Sequence, residues 1–309
     1  MSEIVSKGAG NSMSDEELLG LFSECSNEGR WGPDDELGTL NYITAEKRVA
    51  AAALVRVGTV VAIGQPLSTT PSPVNPHPAT HLMLLEQEPP VSALDYMGLA
   101  PHGFAVTHLD AVAHVFFNGN VYNGRRVEEV LTPGGLTFGS IQAQRNGIFT
   151  RGVLLDVAGV RNRDWLAPNE FVTAEDLDAA ESAQGIQIVS GDAVFVRVGL
   201  DARIAVEGPE DPSERAGLHA SAVRWLHQRE VAVYSGDCVE KIPYPSEKVP
   251  LPLHQVGLVA MGLCLLDCPM LEELRATCQR LGRWEFLLTC APVNLPSGTG
   301  VPVNPICVF

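Results

Sequence analysis

The segment from residue 101 to residue 123 concentrates the side chains that could do chemistry. Within thirteen positions it carries His102, His108, Asp110 and His114. If its first half is a strand, the two-residue period puts Phe104 on the face that already carries the first three of these side chains. The last histidine follows the aspartate by four residues and keeps that orientation in a strand or in one helical turn. The spacing therefore predicts a strand followed by a turn, with polar groups converging on one side.

Such groups also have ordinary structural roles. A single buried histidine is commonly a hydrogen-bonded core residue, and Asp110 alone would suit a turn or an N-cap. Four of them together are different, because each buried polar group left without a partner costs roughly 1 to 3 kcal/mol. The cluster therefore favours a metal site or a proton-transfer site.

Composition and charge narrow the class of function. A chain of 309 residues with 45% hydrophobic residues has enough apolar material for a full core. Its formal net charge of −16 disfavours nucleic acid and anionic membranes as main partners, since both need clustered Lys and Arg. A small-molecule substrate is the expectation.

The cellular context is predicted from three absences in the sequence. The first residues lack the basic start and apolar run of a secretory signal, and the longest apolar stretch, near residues 256–266, is too short to span a bilayer. Seven cysteines without CxxC spacing are typical of reduced, buried thiols. We therefore expect a cytoplasmic protein.

Alternating helix and strand patterns must position the cluster. The sequence predicts a flexible N-terminal segment over residues 1–20 and one domain over 21–309. Helices are predicted over 15–25, 45–57, 173–184, 221–230, 251–262 and 270–282. Strands are predicted over 59–67, 151–160, 191–200, 231–237 and 264–267. The Pro-rich stretch 66–81 predicts an ordered surface loop, either at the rim of an active site or at a subunit contact.

These motifs together resemble a known family, the cyclase-like metal-dependent hydrolases that include bacterial kynurenine formamidases and isatin hydrolases. The resemblance covers most of the chain. Its carriers are WGPDDELGTLN at 31–41, THLDAVAH at 107–114, YNG at 122–124, RGVLLD at 151–156, GDAVFVRVG at 191–199, the run from 216 to 237, His254, LLDCPMLEEL at 265–274 and SGTGVPVNP at 297–305. The resemblance implies an α/β protein with the swivelling β/β/α fold, a mixed sheet flanked by helices, assembled as a homodimer or homotetramer. The Pro-rich loop and the N-terminal segment are candidates for the subunit contact.

The resemblance also implies roles for individual residues. Carried over by position, the metal ligands are His108, Asp110, His254 and Asp267, and His114 is the catalytic residue that shuttles protons. Two departures from the family pattern stand out: Phe104 occupies a position where kynurenine formamidases have a ligand histidine, and Asp267 is shorter than the usual acidic residue. A set of two histidines and two carboxylates still suits Zn²⁺ or Mn²⁺.

Four further residues are assigned to substrate binding: Trp31, His102, Phe104 and Asp237. Trp31 is a candidate aromatic wall over the substrate, although a packing role is equally compatible with its position. Asp237 ends a predicted strand and either reaches the site or caps the next turn. His102 lies on the predicted ligand face, but it precedes the family's ligand position, Phe104, by two residues. That offset corresponds to roughly 6 to 7 Å along a strand.

Three functions are compatible with these features. The leading hypothesis is hydrolysis of a small amide, formamide, lactam or lactone by water that a divalent metal activates. The second is a metal-independent cyclase or dehydratase that acts through His114, Asp110 and His108, with Phe104 marking loss of the metal. The third is a catalytically silent small-molecule binder. No GxSxG sequence indicates a serine nucleophile.

Overall fold

A nine-stranded mixed sheet forms the centre of the computed structural model, which describes residues 13–309. The strands of the chain are β1 Val60–Ala62, β2 Thr80–Glu86, β3 Ser92–Gly98, β4 His108–Asp110, β5 Leu131–Thr132, β6 Gly135–Leu136, β7 Ile148–Asp156, β8 Phe171–Val172, β9 Ala193–Arg197, β10 Gly217–Leu218, β11 Val233–Gly236, β12 Cys264–Asp267, β13 Glu285–Cys290, β14 Gly300–Pro302 and β15 Ile306–Val308. In the large sheet their order is β1-β15-β13-β7-β9-β11-β12-β4-β14.

Helices cover both faces of this sheet. They are α1 Asp15–Glu24, α2 Ala45–Ala52, α3 Val127–Val130, α4 Val157–Val160, α5 Ala174–Gln184, α6 Leu200–Glu207, α7 Ala220–Gln228, α8 Pro252–His254 and α9 Glu272–Leu281. A π-helix, Gln255–Met261, continues α8, and short 3-10 turns occupy Gly38–Tyr42, Tyr122–Gly124 and Ile141–Gln144. The expected α/β class, with a mixed sheet flanked by helices, is confirmed.

The sheet changes strand direction where the candidate site lies. Strands β7, β9, β11 and β12 run parallel to one another, whereas β4 pairs antiparallel with β12. The carboxyl end of β12 therefore meets the amino end of β4, and Asp267 lies opposite His108 in the register. Ligand sites in open α/β sheets lie at the carboxyl ends of the strands.

Alternating side chains of the central strands supply two apolar cores. Val194 and Val196 of β9 join the core on the side of α1, α5 and α7, whereas Phe195 joins the opposite core with Phe286 of β13. All four side chains are completely buried. Burial on both faces explains the nearly continuous apolar run of this strand.

Most predicted elements are confirmed within a few residues, and their ends have local causes. Thr173 and Asp176 form a capping box that begins α5. The predicted strand over 151–160 is wrong in its second half, because the Asp156 carboxylate accepts the Gly159 N–H and begins α4. The predicted helix over 45–57 is too long at its C-terminal end: α2 ends at Ala52, and Val55 and Val57 beyond it are exposed.

The predicted flexible segment needs correction at its C-terminal boundary, and one hairpin was not predicted. Residues 1–12 of the predicted flexible segment lie outside the described residues. Within the described part, α1 already begins at Asp15 and buries Leu18 and Leu21, so residues 15–20 belong to the fold. The hairpin of β2 and β3 follows the Pro-rich loop and was not among the predicted strands. None of the helices between residues 13 and 309 combines the length and the apolar character needed to cross a bilayer.

Gly38 provides a test of the packing that holds the first turn against the π-helix. It has a positive φ of 57°, and an added Cβ would overlap the carbonyl oxygen of Gly262. Gly185 has a φ of 62° with open space around it. Gly185→Ala should therefore cost only the left-handed strain, about 1 to 2 kcal/mol. Gly38→Ala should cost a further 1 to 3 kcal/mol or so through overpacking. Urea unfolding of both variants measures the difference, and equal losses would refute the close contact.

Candidate metal centre

Four ionisable side chains from three separate segments of the chain meet at β4: His108, Asp110, His254 and Asp267. Asp110 ends this strand and is completely buried. Its Oδ1 lies 3.5 Å from His108 Nε2, and its Oδ2 lies 3.9 Å from Nε2 of His254, which is the last residue of α8. The same histidine nitrogen lies 3.1 Å from Oδ2 of Asp267. The four residues assigned as ligands by resemblance are thus brought together.

Hydrogen bonds to the far side of two imidazoles aim their Nε2 atoms at this cluster. His108 Nδ1 donates to the carbonyl oxygen of Val106 at 2.8 Å. His254 Nδ1 lies 2.9 Å from an oxygen of Glu240, a carboxylate that is only 1% exposed. An acceptor at one ring nitrogen holds a proton there, so the other nitrogen offers a lone pair whenever the ring is neutral, the arrangement seen at metal-binding histidines.

Two buried carboxylate oxygens in the cluster have no hydrogen-bond partner. They are Asp110 Oδ2 and Asp267 Oδ1. An unpaired buried anion is costly, and a divalent cation is the group that would compensate several carboxylate oxygens at once. The potential ligand atoms of Asp110, His254 and Asp267 all lie within 4.8 Å of one another. Ligand bonds of about 2.0 to 2.2 Å are compatible with that spacing. The donor set therefore fits a divalent cation.

A second potential ligand group shares Asp110 with the first. It consists of His102, His108 and Asp110, again within 4.8 Å. His102 Nδ1 lies 3.1 Å from Asp110 Oδ1, and its Nε2 lies 3.1 Å from the hydroxyl of Thr299. The strand predicted for residues 102–110 is wrong in its first part, since β4 contains only His108–Asp110. The chain bends at Gly103, which has a φ of 114°, so His102 comes much closer than a strand allows.

The electrostatics of the cluster follow from burial and close opposite charges. Burial alone would raise the pKa of Asp110, but the hydrogen bond from His102 and the surrounding imidazoles lower it to about 2. Burial would lower the pKa of His254, yet Glu240 and Asp267 outweigh it and raise this pKa well above its usual range. Anionic oxygens dominate the site, and a cation must displace the proton on His254 to bind its Nε2.

His114 lies beside the cluster without joining either potential ligand group. Its ring stacks on that of His102 with centroids 3.7 Å apart and an interplanar angle of 4°. Burial lowers the pKa of His114 to about 4, although Asp110 partly opposes this effect. The imidazole is therefore neutral near pH 7, and its lowered pKa makes it a weak base. Its assignment as the proton shuttle stays a prediction.

Phe104 separates two cavities next to the cluster. One, of 240 Å³, is bounded by His102, Phe104 and the Pro-rich loop. The other, of 220 Å³, contains Phe104, Arg215 and Asp237 in its wall. The Arg215 guanidinium lies 3.9 Å above the Phe104 ring. The aromatic residue at the expected ligand position thus forms a wall of the site.

The two remaining predicted substrate-binding residues, Trp31 and Asp237, make contacts that serve the fold. Trp31 packs edge-on against Tyr42, with ring centroids 5.1 Å apart. It is not one of the described residues that line the two cavities. Asp237 borders the second cavity, but its carboxylate accepts the backbone N–H groups of residues 198, 199 and 200 at 2.7 to 2.9 Å. It therefore caps α6, and burial raises its pKa to about 6. The geometry favours packing for the first and capping for the second.

Two residues near the site, Glu240 and Thr299, were not predicted from the sequence. Glu240 follows the end of β11 by four residues and orients His254, whereas Thr299 lies in the SGTG segment and contacts His102. Neither residue has a spacing that signals such a role. The motif WGPDDELG serves the scaffold, because Asp35 accepts a hydrogen bond from Tyr122 Oη at 2.9 Å.

Comparison with known proteins assigns the chain to a family. A family model described as putative cyclase matches residues 48–240, which is more than half of the chain. The chain belongs to this family. No curated protein matches it.

Solved structures share the fold over nearly the whole chain. A structure described as a novel cyclase has 28% identity and a TM-score of 0.82, covering 92% of this chain and 99% of the other. Isatin hydrolase A from Ralstonia solanacearum has 21% identity and a TM-score of 0.57, covering 86% and 98%. A protein described as a predicted metal-dependent hydrolase, from Bacillus stearothermophilus, has 14% identity and a TM-score of 0.53, covering 82% and 98%. The family and fold expected from the motifs are confirmed.

Glu240→Gln tests whether the carboxylate behind His254 supports metal binding. The amide removes the negative charge, so Zn²⁺ affinity should fall roughly 10- to 100-fold, as for other partners of ligand histidines. Calorimetry on protein stripped with a chelator measures the change. Glu181→Gln is the matched control, because Glu181 is also buried but pairs with Arg229. Equal affinities in all three proteins would show that Glu240 does not act on the metal.

Proposed function

We propose that this protein is a metal-dependent hydrolase that cleaves a small amide, formamide, lactam or lactone with an activated water molecule. The carrying observation is the pair of buried oxygens without a hydrogen-bond partner, Asp110 Oδ2 and Asp267 Oδ1. They lie beside His254, whose Nε2 is 3.9 Å from Asp110 Oδ2 and 3.1 Å from the other carboxylate oxygen of Asp267, Oδ2. A metal-free acid and base pair, the second candidate from the sequence, would leave these oxygens uncompensated. Membership of the putative cyclase family and the fold shared with isatin hydrolases support the proposal.

The cation would be held by Asp110, His254 and Asp267, with His108 as a further donor. Zn²⁺ or Mn²⁺ suits this mixture of imidazoles and carboxylates. When bound, such an ion lowers the pKa of water from 15.7 toward about 7 and polarises a carbonyl group. Glu240 keeps the His254 ring oriented, and the Val106 carbonyl does the same for His108.

Proton transfer falls to His114 in this proposal. Its neutral imidazole, stacked on His102, accepts a proton from the attacking water and returns it to the leaving nitrogen or oxygen. His102 contributes from the other side of Asp110, where it supplies the imidazole that Phe104 cannot. Thr299 fixes the orientation of this ring through its hydroxyl.

The 240 Å³ cavity next to His102 is the place for the substrate. Its wall is mostly apolar. Besides His102, it is formed by residues of the Pro-rich loop, residues of the segment before β4 and one residue that follows α6: Pro73, Val74, Asn75, Pro76, His77, Ala100, Gly103, Phe104, Ala105, Val106 and Pro212. None of its lining residues within 13–309 is a Lys or an Arg. A small, uncharged substrate therefore fits better than a carboxylate or phosphate.

The direct test is turnover of a panel of lactones, cyclic imides and N-formyl arylamines by metal-stripped protein, with and without added Zn²⁺ or Mn²⁺. Hydrolysis that appears only with the metal supports the proposal. Turnover that is equal without metal would favour the metal-independent cyclase or dehydratase. Metal binding without turnover of any class would contradict the hydrolase assignment.

His114→Ala should remove most of the activity and leave metal content unchanged, because His114 is assigned to proton transfer and not to ligation. General acid and base catalysis contributes about 10² to 10⁴-fold, so kcat should fall by that factor. Steady-state kinetics and elemental analysis give the two readouts. His227→Ala on α7 is the control and should keep full turnover. Loss of the metal from the His114 variant would mean that its role is ligation.

A further inference from the structure

A cavity of 540 Å³ lies away from the metal centre, between the end of α4 and the first turns of α9. It is more than twice the size of either cavity beside the metal, and it falls in the range of small-molecule sites, about 300 to 1,000 Å³. Two of its lining residues, Gly159 and Arg275, bond to Asp156 at the carboxyl end of β7. In the sheet β7 is three strands from β12, roughly 14 Å at about 4.8 Å per strand. A molecule in this cavity would therefore be separate from the metal ligands.

The wall of this cavity is fixed to the ends of the central strands. The carbonyl oxygen of Asp164 accepts a hydrogen bond from the buried guanidinium of Arg197 at 2.9 Å. The Leu166 N–H donates to the carbonyl oxygen of Val198 at 2.8 Å. Gly199 lies so close that an added Cβ would be 2.3 Å from the Asp164 carbonyl oxygen. The loop is thus held in place by the protein itself, and a ligand would not have to order it.

Arginine is in excess among the charged residues that line the cavity. These residues are Arg163, Asp164 and Arg275. The whole chain has the opposite balance, with 37 Asp and Glu against 21 Lys and Arg. Guanidinium groups bind carboxylates through charge-assisted hydrogen bonds. The local excess of positive charge therefore favours an anion in this cavity.

Arg275 has donor groups that the fold does not use. Its Nε donates to Asp156 Oδ2 at 2.9 Å, while the other oxygen of this carboxylate accepts from Arg197 at 2.8 Å. Among residues 13–309, no group accepts a hydrogen bond from Nη1 or Nη2 of Arg275, and neither nitrogen is sealed from solvent. A purely structural role needs Nε alone. The two Nη atoms are therefore available to a carboxylate, which a guanidinium can bind with both oxygens.

Trp165 adds an aromatic surface to the same wall. The residue is partly buried, and within the described part of the chain its indole N–H has no hydrogen-bond partner. Gly159 and Ala167 also line the cavity, and their small size leaves space for a ring. The Asp164 carboxylate, which forms no ion pair with the described residues, would repel a second negative charge on a ligand. A monoanion with a planar apolar part fits these features best.

We propose that this cavity is a second small-molecule site that binds an aromatic monocarboxylate. The carboxylate is held by the Nη atoms of Arg275, and the ring lies against Trp165. Arg163 adds positive charge at the rim, although its Nη1 is shared with Glu170 at 2.6 Å. None of these residues is assigned to the hydrolytic reaction, so the site does not depend on the proposed function.

The first test is calorimetric titration of the full chain, with its metal, by benzoate. The wild type should bind benzoate saturably, and Arg275→Gln should weaken the affinity roughly tenfold or more, because charge-assisted hydrogen bonds are lost. Arg280→Gln is the matched control, since Arg280 is an exposed residue of the same helix and is not among the lining residues. Inorganic phosphate should bind at least about tenfold more weakly than benzoate, because of Asp164.

Three results would overturn the proposal. One is a wild-type dissociation constant weaker than about 10 mM. Another is equal affinity in wild type and Arg275→Gln, which would place the benzoate elsewhere, for example on the metal. The third is phosphate binding as tight as that of benzoate, which would show that the class of ligand is wrong.

A cavity-filling variant decides the matter if Arg275→Gln does not fold for want of the contact with Asp156. Ala167→Trp places a large side chain in the cavity and keeps every arginine, so it should abolish benzoate binding. Ala179→Trp, at an exposed alanine of α5, is its control and should bind benzoate like the wild type. Thermal melting verifies that both variants are folded. Benzoate binding that survives in Ala167→Trp, or that is lost equally in both variants, would contradict the proposed site.

Discussion

The buried carboxylate of Asp110 is the constraint on which the rest of the site depends. It has no exposure to solvent, and one of its oxygens has no hydrogen-bond donor. A buried anion is stable only where positive charge or strong donors surround it. His102, His108 and His254 approach it from three sides, and Asp267 adds a second negative group. This concentration of donors and anions is what makes a divalent cation the natural occupant.

The sheet topology explains how residues so far apart in sequence reach one point. The parallel strands end at one edge, and the antiparallel insertion of β4 brings His108 and Asp110 to that edge next to the last residue of β12. Helix α8, which the π-helix continues, brings His254 over the same edge, where Glu240 contacts the Nδ1 side of its ring. Each contribution comes from the end of an element, so the rigid sheet fixes the ligands while loops shape the cavity.

The sequence predicted the scaffold better than the details of the site. Strongly periodic elements such as α5 and β9 were predictable because burial on their faces leaves a clear pattern. His254 and Asp267 were reached only through resemblance to a family, since no spacing links them to Asp110. The contact of His102 was underestimated, because the bend at Gly103 depends on a positive φ that a strand interpretation excludes. The hairpin of β2 and β3 was missed since apolar residues on both faces hide the alternation that marks a half-buried strand.

The most direct measurement is the affinity of Zn²⁺ and Mn²⁺ for wild-type protein and for Asp110→Asn, by calorimetry after removal of all metal with a chelator. The account predicts stoichiometric binding by the wild type and loss of most of that affinity in the variant, because the shared carboxylate is removed while the fold keeps its shape. A wild-type dissociation constant weaker than about 1 mM, which corresponds to only about 4 kcal/mol, would contradict the account. So would equal affinities in the two proteins.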